Sequence, residues 1–155
     1  MKARTTALTL AAMCFLGAAV AFAQSPFMGT WQLNEAKSKL GPGAPKNTTV
    51  VYEAAGDDMK VTVDGTDSAG NPTHTEWTGK FDGHEYPVTG SSSADMRSYR
   101  RIGTHTLSLV ETKGGKVVTT GRVAVSADGK TRTVTATETN SKGKKVHSTM
   151  VYDKQ

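Results

Sequence analysis

Residues 116–140, KVVTTGRVAVSADGKTRTVTATETN, decide the fold of this chain. From 131 to 139 every odd position is threonine, and the even positions are Arg132, Val134, Ala136 and Glu138. A period of two residues is typical of a β-strand that has one buried and one exposed face. The Asp128-Gly129 pair before this run is typical of a tight hairpin turn, because both residues tolerate a positive φ. The stretch therefore predicts two antiparallel strands joined by a short turn.

The same alternation and the same turn residues recur along most of the chain. Pairs such as Gly56-Asp57 and Gly114-Gly115 separate the alternating runs. The pattern predicts ten strands, near 27–33, 47–54, 58–65, 73–81, 84–88, 95–102, 105–112, 116–126, 130–140 and 144–152. Such a meander removes its exposed edges by closing on itself. We predict an all-β protein with a single antiparallel up-and-down barrel of about 8–10 strands, and a two-sheet sandwich is the alternative.

The first residues predict export. Two basic residues precede an apolar run over 7–21, which ends in the small-residue triplet Ala21-Phe22-Ala23. These are the three parts of a secretory signal peptide. We expect a signal over 1–23, cleavage near Ala23, and a barrel domain over 24–155 that is periplasmic or secreted. The apolar run is too short for a membrane span, so we expect no transmembrane anchor after cleavage.

Composition narrows the chemistry that the exported domain can perform. The single cysteine, Cys14, lies in the predicted signal, which excludes a disulfide framework and a thiolate site from the rest of the chain. The net charge of +5 falls to +3 without Lys2 and Arg4, and the remaining basic residues are dispersed. Nucleic-acid binding would need a basic stripe with stacking aromatics, so we expect no nucleic-acid partner. The four histidines are also scattered, and we expect neither a metal nor a cofactor.

Arg97, Tyr99 and Arg101 form the sharpest candidate for a ligand site. The period of a strand places the three side chains on one face. Guanidinium groups are always charged and present a fork of donors that matches a carboxylate. Trp77 and Tyr86 are aromatics that we expect inside the barrel or at its mouth. These five residues predict the binding of a small, mainly apolar ligand, with its acidic group near the arginines.

Other interpretations of these residues stay open. The arginines would instead face solvent or pair with Asp95 or Glu111, and Arg122 on a neighbouring strand is a further candidate. A barrel with a packed interior would be a structural or protein-interaction module. An enzyme would use polar groups such as His84 and Glu85 at the mouth, but the chain carries no hydrolase signature and we assign no catalytic residue. The sequence leaves the oligomeric state open.

Gly29-Thr30-Trp31 resembles the G-x-W motif of the lipocalins, in which the tryptophan lies on the first strand and closes the base of the barrel. A wider resemblance, to small exported bacterial proteins described as lipocalin-like and mostly uncharacterised, covers nearly all of the chain after the signal. The matching stretches are 29–34, 86–90, 100–102, 115–118, 125–131 and 151–154. The resemblance implies a calycin-type barrel, similar to lipocalins and fatty-acid-binding proteins, and an exported location. It implies no catalytic residue.

Overall fold

The computed structural model describes residues 25–140 and 142–155, which form one closed barrel of ten antiparallel strands. The strands are β1 Gly29–Leu33, β2 Lys46–Ala55, β3 Asp58–Thr66, β4 Pro72–Gly79, β5 Tyr86–Thr89, β6 Met96–Gly103, β7 Thr106–Lys113, β8 Lys116–Val125, β9 Thr131–Thr139 and β10 Lys145–Lys154. Each of the ten predicted strands is present and differs by at most two residues at either end. The predicted signal over 1–23 lies outside the described residues.

The barrel is closed by its first strand. Every strand from β2 to β10 pairs with its neighbours in the sequence, and β1 pairs with both β2 and β10. Trp31 lies opposite Val50 on one side and Lys154 on the other. This order is the up-and-down barrel that the meander predicts, and each strand among the described residues has a neighbouring strand on both sides. Within the described part of the chain, no helix is long and apolar enough to cross a membrane.

The period-two pattern sets which side chains face the interior. On β9 the buried positions are Arg132, Val134 and Ala136, and the threonines between them are more exposed. On β3 the buried positions are likewise Met59, Val61 and Val63. Because the side chains of a strand alternate between its faces, one choice of register fixes the whole inner surface.

Aromatic side chains fill one part of the interior. This aromatic cluster consists of Phe27, Tyr52, Trp77, Phe81, Tyr86 and Tyr99. Its rings meet mostly edge to face, which is the arrangement that aromatic quadrupoles favour. Trp31 adds to the same core and donates its indole N–H to the backbone oxygen of Phe27 at 2.8 Å. The six rings supply much of the large apolar volume that a chain rich in valine and threonine otherwise lacks.

Replacing Gly79 with alanine is expected to destabilise the barrel by about 1 to 3 kcal/mol, as overpacking of a core does. A Cβ at this position would lie 2.5 Å from the Tyr86 ring and 2.9 Å from the Trp77 ring. Gly103→Ala is the matched control, because Gly103 also lies in a strand and its nearest neighbour would be 3.7 Å away. Urea unfolding of both variants checks the difference, and equal stabilities would show that the cluster has room at Gly79.

Candidate functional site

A cavity of about 60 Å³ lies inside the barrel, beside the aromatic cluster. It combines apolar side chains with an unusual number of polar and charged ones. Its lining is Asn47, Val50, Val63, Arg97, Tyr99, Leu109, Glu111, Thr119, Arg132, Val134, Ala136, Glu138, Met150 and Tyr152. A water needs at least roughly 10–15 Å³ of such volume, so the cavity has room only for a few waters or a very small molecule. Its size and lining suit a small polar or amphipathic molecule.

Arg97 and Glu111 form a buried ion pair in the cavity wall. The Nε and Nη2 atoms of Arg97 both donate to one carboxylate oxygen of Glu111, at 2.7 and 2.6 Å. The two residues face each other across β6 and β7. Burial alone would lower the pKa of Arg97, but Tyr99 and the charge of Glu111 outweigh it and raise the pKa above its usual value. The predicted alternative of an Arg97–Glu111 pair is therefore the arrangement that the structure shows.

Arg132 is the second buried arginine of the cavity, and its side chain is only 4% exposed. Its Nη2 donates to the hydroxyl of Tyr52 at 2.9 Å, and its guanidinium lies over the rings of Tyr52 and Tyr152. Its Nε and Nη1 have no hydrogen-bond partner among the described residues. Arg132 is not among the five residues predicted to bind ligand, although the alternation over 131–139 places it on the face of Val134 and Ala136.

The other titratable groups around the cavity are held in their neutral forms more strongly than usual. Burial raises the pKa of Tyr99, and burial also raises the pKa of Tyr152. Burial, with the nearby charge of Glu111, raises the pKa of Glu138. Tyr152 donates to the backbone oxygen of Asn47 at 3.0 Å and so spans one side of the cavity. The site therefore presents neutral phenols, the Glu138 carboxyl and the partly unpaired guanidinium of Arg132 to any molecule that enters it.

The five residues predicted to bind ligand do not all meet at the cavity. Arg97 and Tyr99 line it. Arg101 is exposed, and its guanidinium lies over the rings of Phe27 and Phe81 instead. The strand pattern is interrupted directly after Arg101, where the pairing of β6 with β7 shifts its register.

Trp77 and Tyr86 belong to the aromatic cluster and do not line the cavity. Trp77 is buried and donates its indole N–H to the backbone oxygen of Arg97 at 2.8 Å, so it supports the strand that carries two cavity residues. Arg122, the further candidate, is exposed because its neighbours Val123 and Val125 take the inner face.

The polar groups considered for catalysis lie on an exposed loop between β4 and β5. Asp82 accepts a hydrogen bond from the backbone N–H of His84 and another from the hydroxyl of Tyr86, both at 2.9 Å. The His84 backbone N–H, followed by the His84 ring and the Tyr86 hydroxyl, lowers the pKa of Asp82 to about 2. Glu85 accepts from the hydroxyl of Thr112 at 2.8 Å. These contacts hold the loop in shape, and neither Asp82 nor His84 lines the cavity.

No group of three or more histidine, cysteine, aspartate or glutamate side chains converges on a common point within residues 25–140 and 142–155. The carboxylates of Glu111 and Glu138 are the acidic groups that line the cavity. Arg97 already binds Glu111. The chemistry of the site is therefore that of two guanidinium groups, phenols and partly paired carboxylates.

Comparison with known proteins gives no family assignment. No protein-family model and no curated protein matches the chain. Among solved structures, the chain is similar to a redesigned β-barrel, mFAP1, bound to DFHBI. The two chains are 18% identical, with a TM-score of 0.41 over 81% of this chain and 94% of the other. The assignment of the fold accordingly rests on the strand pairing of this chain.

Proposed function

We propose that this chain is an exported, lipocalin-like barrel that binds a small molecule in its interior without transforming it. The observation that carries the proposal is the internal cavity, in which apolar walls surround a few buried polar groups. Small-molecule sites have this composition, because apolar surface supplies affinity and a few polar groups fix orientation. The predicted signal over 1–23 supports a location in the periplasm or outside the cell.

The polarity of the cavity narrows the kind of ligand. Val50, Val63 and Val134 offer an apolar wall, whereas Arg97 and Arg132 bring two buried positive charges. A purely apolar molecule would leave the donors of Arg132 without partners, at a cost in free energy. We therefore propose a ligand with an apolar part and at least one hydrogen-bond acceptor, and not the mainly apolar ligand that the sequence predicts.

Native mass spectrometry of the protein purified from its own host tests the proposal. We expect the secreted form to begin near Gln24 and a fraction of it to carry a small bound molecule, which solvent extraction then releases for identification. A second spectrum under denaturing conditions should show the bare chain alone. A bare mass under native conditions, together with no shift of cavity resonances when small polar molecules are added, would contradict a binding function.

A further inference from the structure

Arg132 has more hydrogen-bonding capacity than the described residues use. The guanidinium carries five N–H donors, and the Tyr52 hydroxyl accepts one of them. The Nε and Nη1 atoms, which hold three of the remaining donors, have no partner in the described part of the chain. Buried polar groups of native proteins are nearly always paired, so an arginine in this state needs a protein, water or ligand partner.

The charge of Arg132 is also uncompensated. Arg97, the other arginine of the cavity, is neutralised by Glu111, whereas no described carboxylate lies within ion-pair distance of Arg132. Its nearest polar neighbours are the phenols of Tyr52 and Tyr152, and burial raises the pKa of Tyr152 so that it stays uncharged at neutral pH. A buried cation is strongly stabilised by an anion within hydrogen-bond distance.

The surroundings of Arg132 favour an organic anion over a bare inorganic one. Val50, Val134 and Met150 line the same cavity and offer apolar contact to a short carbon chain. A volume of about 60 Å³ limits that chain to a short one. A long acyl chain would exceed this volume.

We propose that the free donors of Arg132 bind the carboxylate of a small organic acid of about three carbons, with its chain against Val134 and Met150. This inference rests on the proposed function and names the class of ligand. It places the acidic group of the ligand at Arg132 and not at Arg97 or Arg101, because Arg97 is paired with Glu111 and Arg101 lies over Phe27 and Phe81.

An NMR titration of the ¹⁵N-labelled protein with propionate tests the inference, and propionamide serves as the neutral probe of the same shape. We expect propionate to shift the Arg132 Nε–H resonance and the amides of Val134 and Met150 in a saturable way. Propionamide should bind at least about tenfold more weakly, because it lacks the charge that strengthens each bond to the guanidinium. Arg132→Gln should weaken propionate binding by a similar factor. Arg122→Gln, which removes an exposed arginine on the neighbouring strand, should leave it unchanged.

The outcomes separate the inference from the proposed function. Equal binding of propionate and propionamide in the cavity would overturn the inference and keep the binding function. Propionate shifts confined to exposed lysines outside the cavity would also overturn it. If neither probe shifts a cavity resonance, both proposals fail. If Arg132→Gln does not fold, the unchanged protein still tests the inference. Propionate must then shift the Arg132 Nε–H resonance at lower concentration than propionamide does, and equal binding of the two probes overturns the inference.

Discussion

Replacing Trp77 with alanine is expected to lower the free energy of unfolding by about 3 to 5 kcal/mol, the range typical of a large aromatic removed from a core. Trp77 is 1% exposed and contacts three other rings of the aromatic cluster. Its ring stacks on Phe81 and meets the edges of Tyr86 and Tyr99, with centroids 5.0 to 6.3 Å apart. Alanine would leave a cavity that these rings only partly fill.

The hydrogen bond of Trp77 adds a separate contribution. Its indole N–H reaches the backbone oxygen of Arg97, so Trp77→Phe should keep most of the packing but leave that oxygen without this donor. We expect Trp77→Phe to cost about 1 to 3 kcal/mol, less than Trp77→Ala. Thr78→Ala, on the exposed face of the same strand, is the control and should stay within about 1 kcal/mol of the parent.

Urea unfolding followed by far-ultraviolet circular dichroism measures all three variants. Fluorescence remains usable as a second probe, since Trp31 is still present in each of them. A loss below about 1 kcal/mol in Trp77→Ala would mean that the aromatic cluster collapses onto the vacated space. That result would also predict a larger ligand cavity, because Tyr99 belongs to both the cluster and the cavity wall and would move toward the vacated space.

The sequence predicted the barrel well because each strand carries its own signal. Alternation tells which residues of a strand face inward, and glycine-containing turns tell where the strand ends. At Thr131–Thr139, nine residues suffice to give the strand, its length and its buried face. Apart from the closing pair of β1 with β10, an up-and-down barrel then needs no long-range information, since each strand pairs with the next one in the chain.

The site was predicted less completely, because its geometry depends on contacts between distant residues. Arg132 bonds to Tyr52, which lies 80 positions earlier in the chain. Strand period alone placed Arg97, Tyr99 and Arg101 on one face, but Arg101 lies farther along β6, over the rings of Phe27 and Phe81 and away from the cavity. The same period also predicts that Arg132 faces inward. The sequence does not show that no carboxylate lies beside Arg132, because its neighbours come from distant strands that meet only in the closed barrel.

Removing the carboxylate of Glu111 is expected to be the second large effect. Glu111→Ala would leave the guanidinium of Arg97 buried and without its counter-charge, which typically costs about 3 to 5 kcal/mol. Both side chains are nearly buried, with 10% and 13% of their surfaces exposed, so solvent screens the pair only weakly. The double variant Arg97→Met with Glu111→Leu should recover most of this loss, because apolar side chains of similar size replace a buried ion pair at little cost.

A second readout separates the lost charge from a lost contact. The charge of Glu111 contributes to the raised pKa of Glu138, so the pKa of Glu138 should fall toward its ordinary value in Glu111→Ala, and also in Glu111→Gln. An NMR pH titration of the Glu138 carboxyl measures this directly.

A raised carboxyl pKa favours the protonated form in the folded state, so its contribution to stability is lost as the pH rises through the folded pKa. In Glu111→Ala, where the pKa of Glu138 is lower, the free energy of unfolding should therefore decrease less between mildly acidic and neutral pH than it does in the parent protein. An unchanged Glu138 titration, with a stability loss below about 1 kcal/mol, would mean that Arg97 and Glu111 are individually solvated and that the cavity is wetter than the ion pair implies.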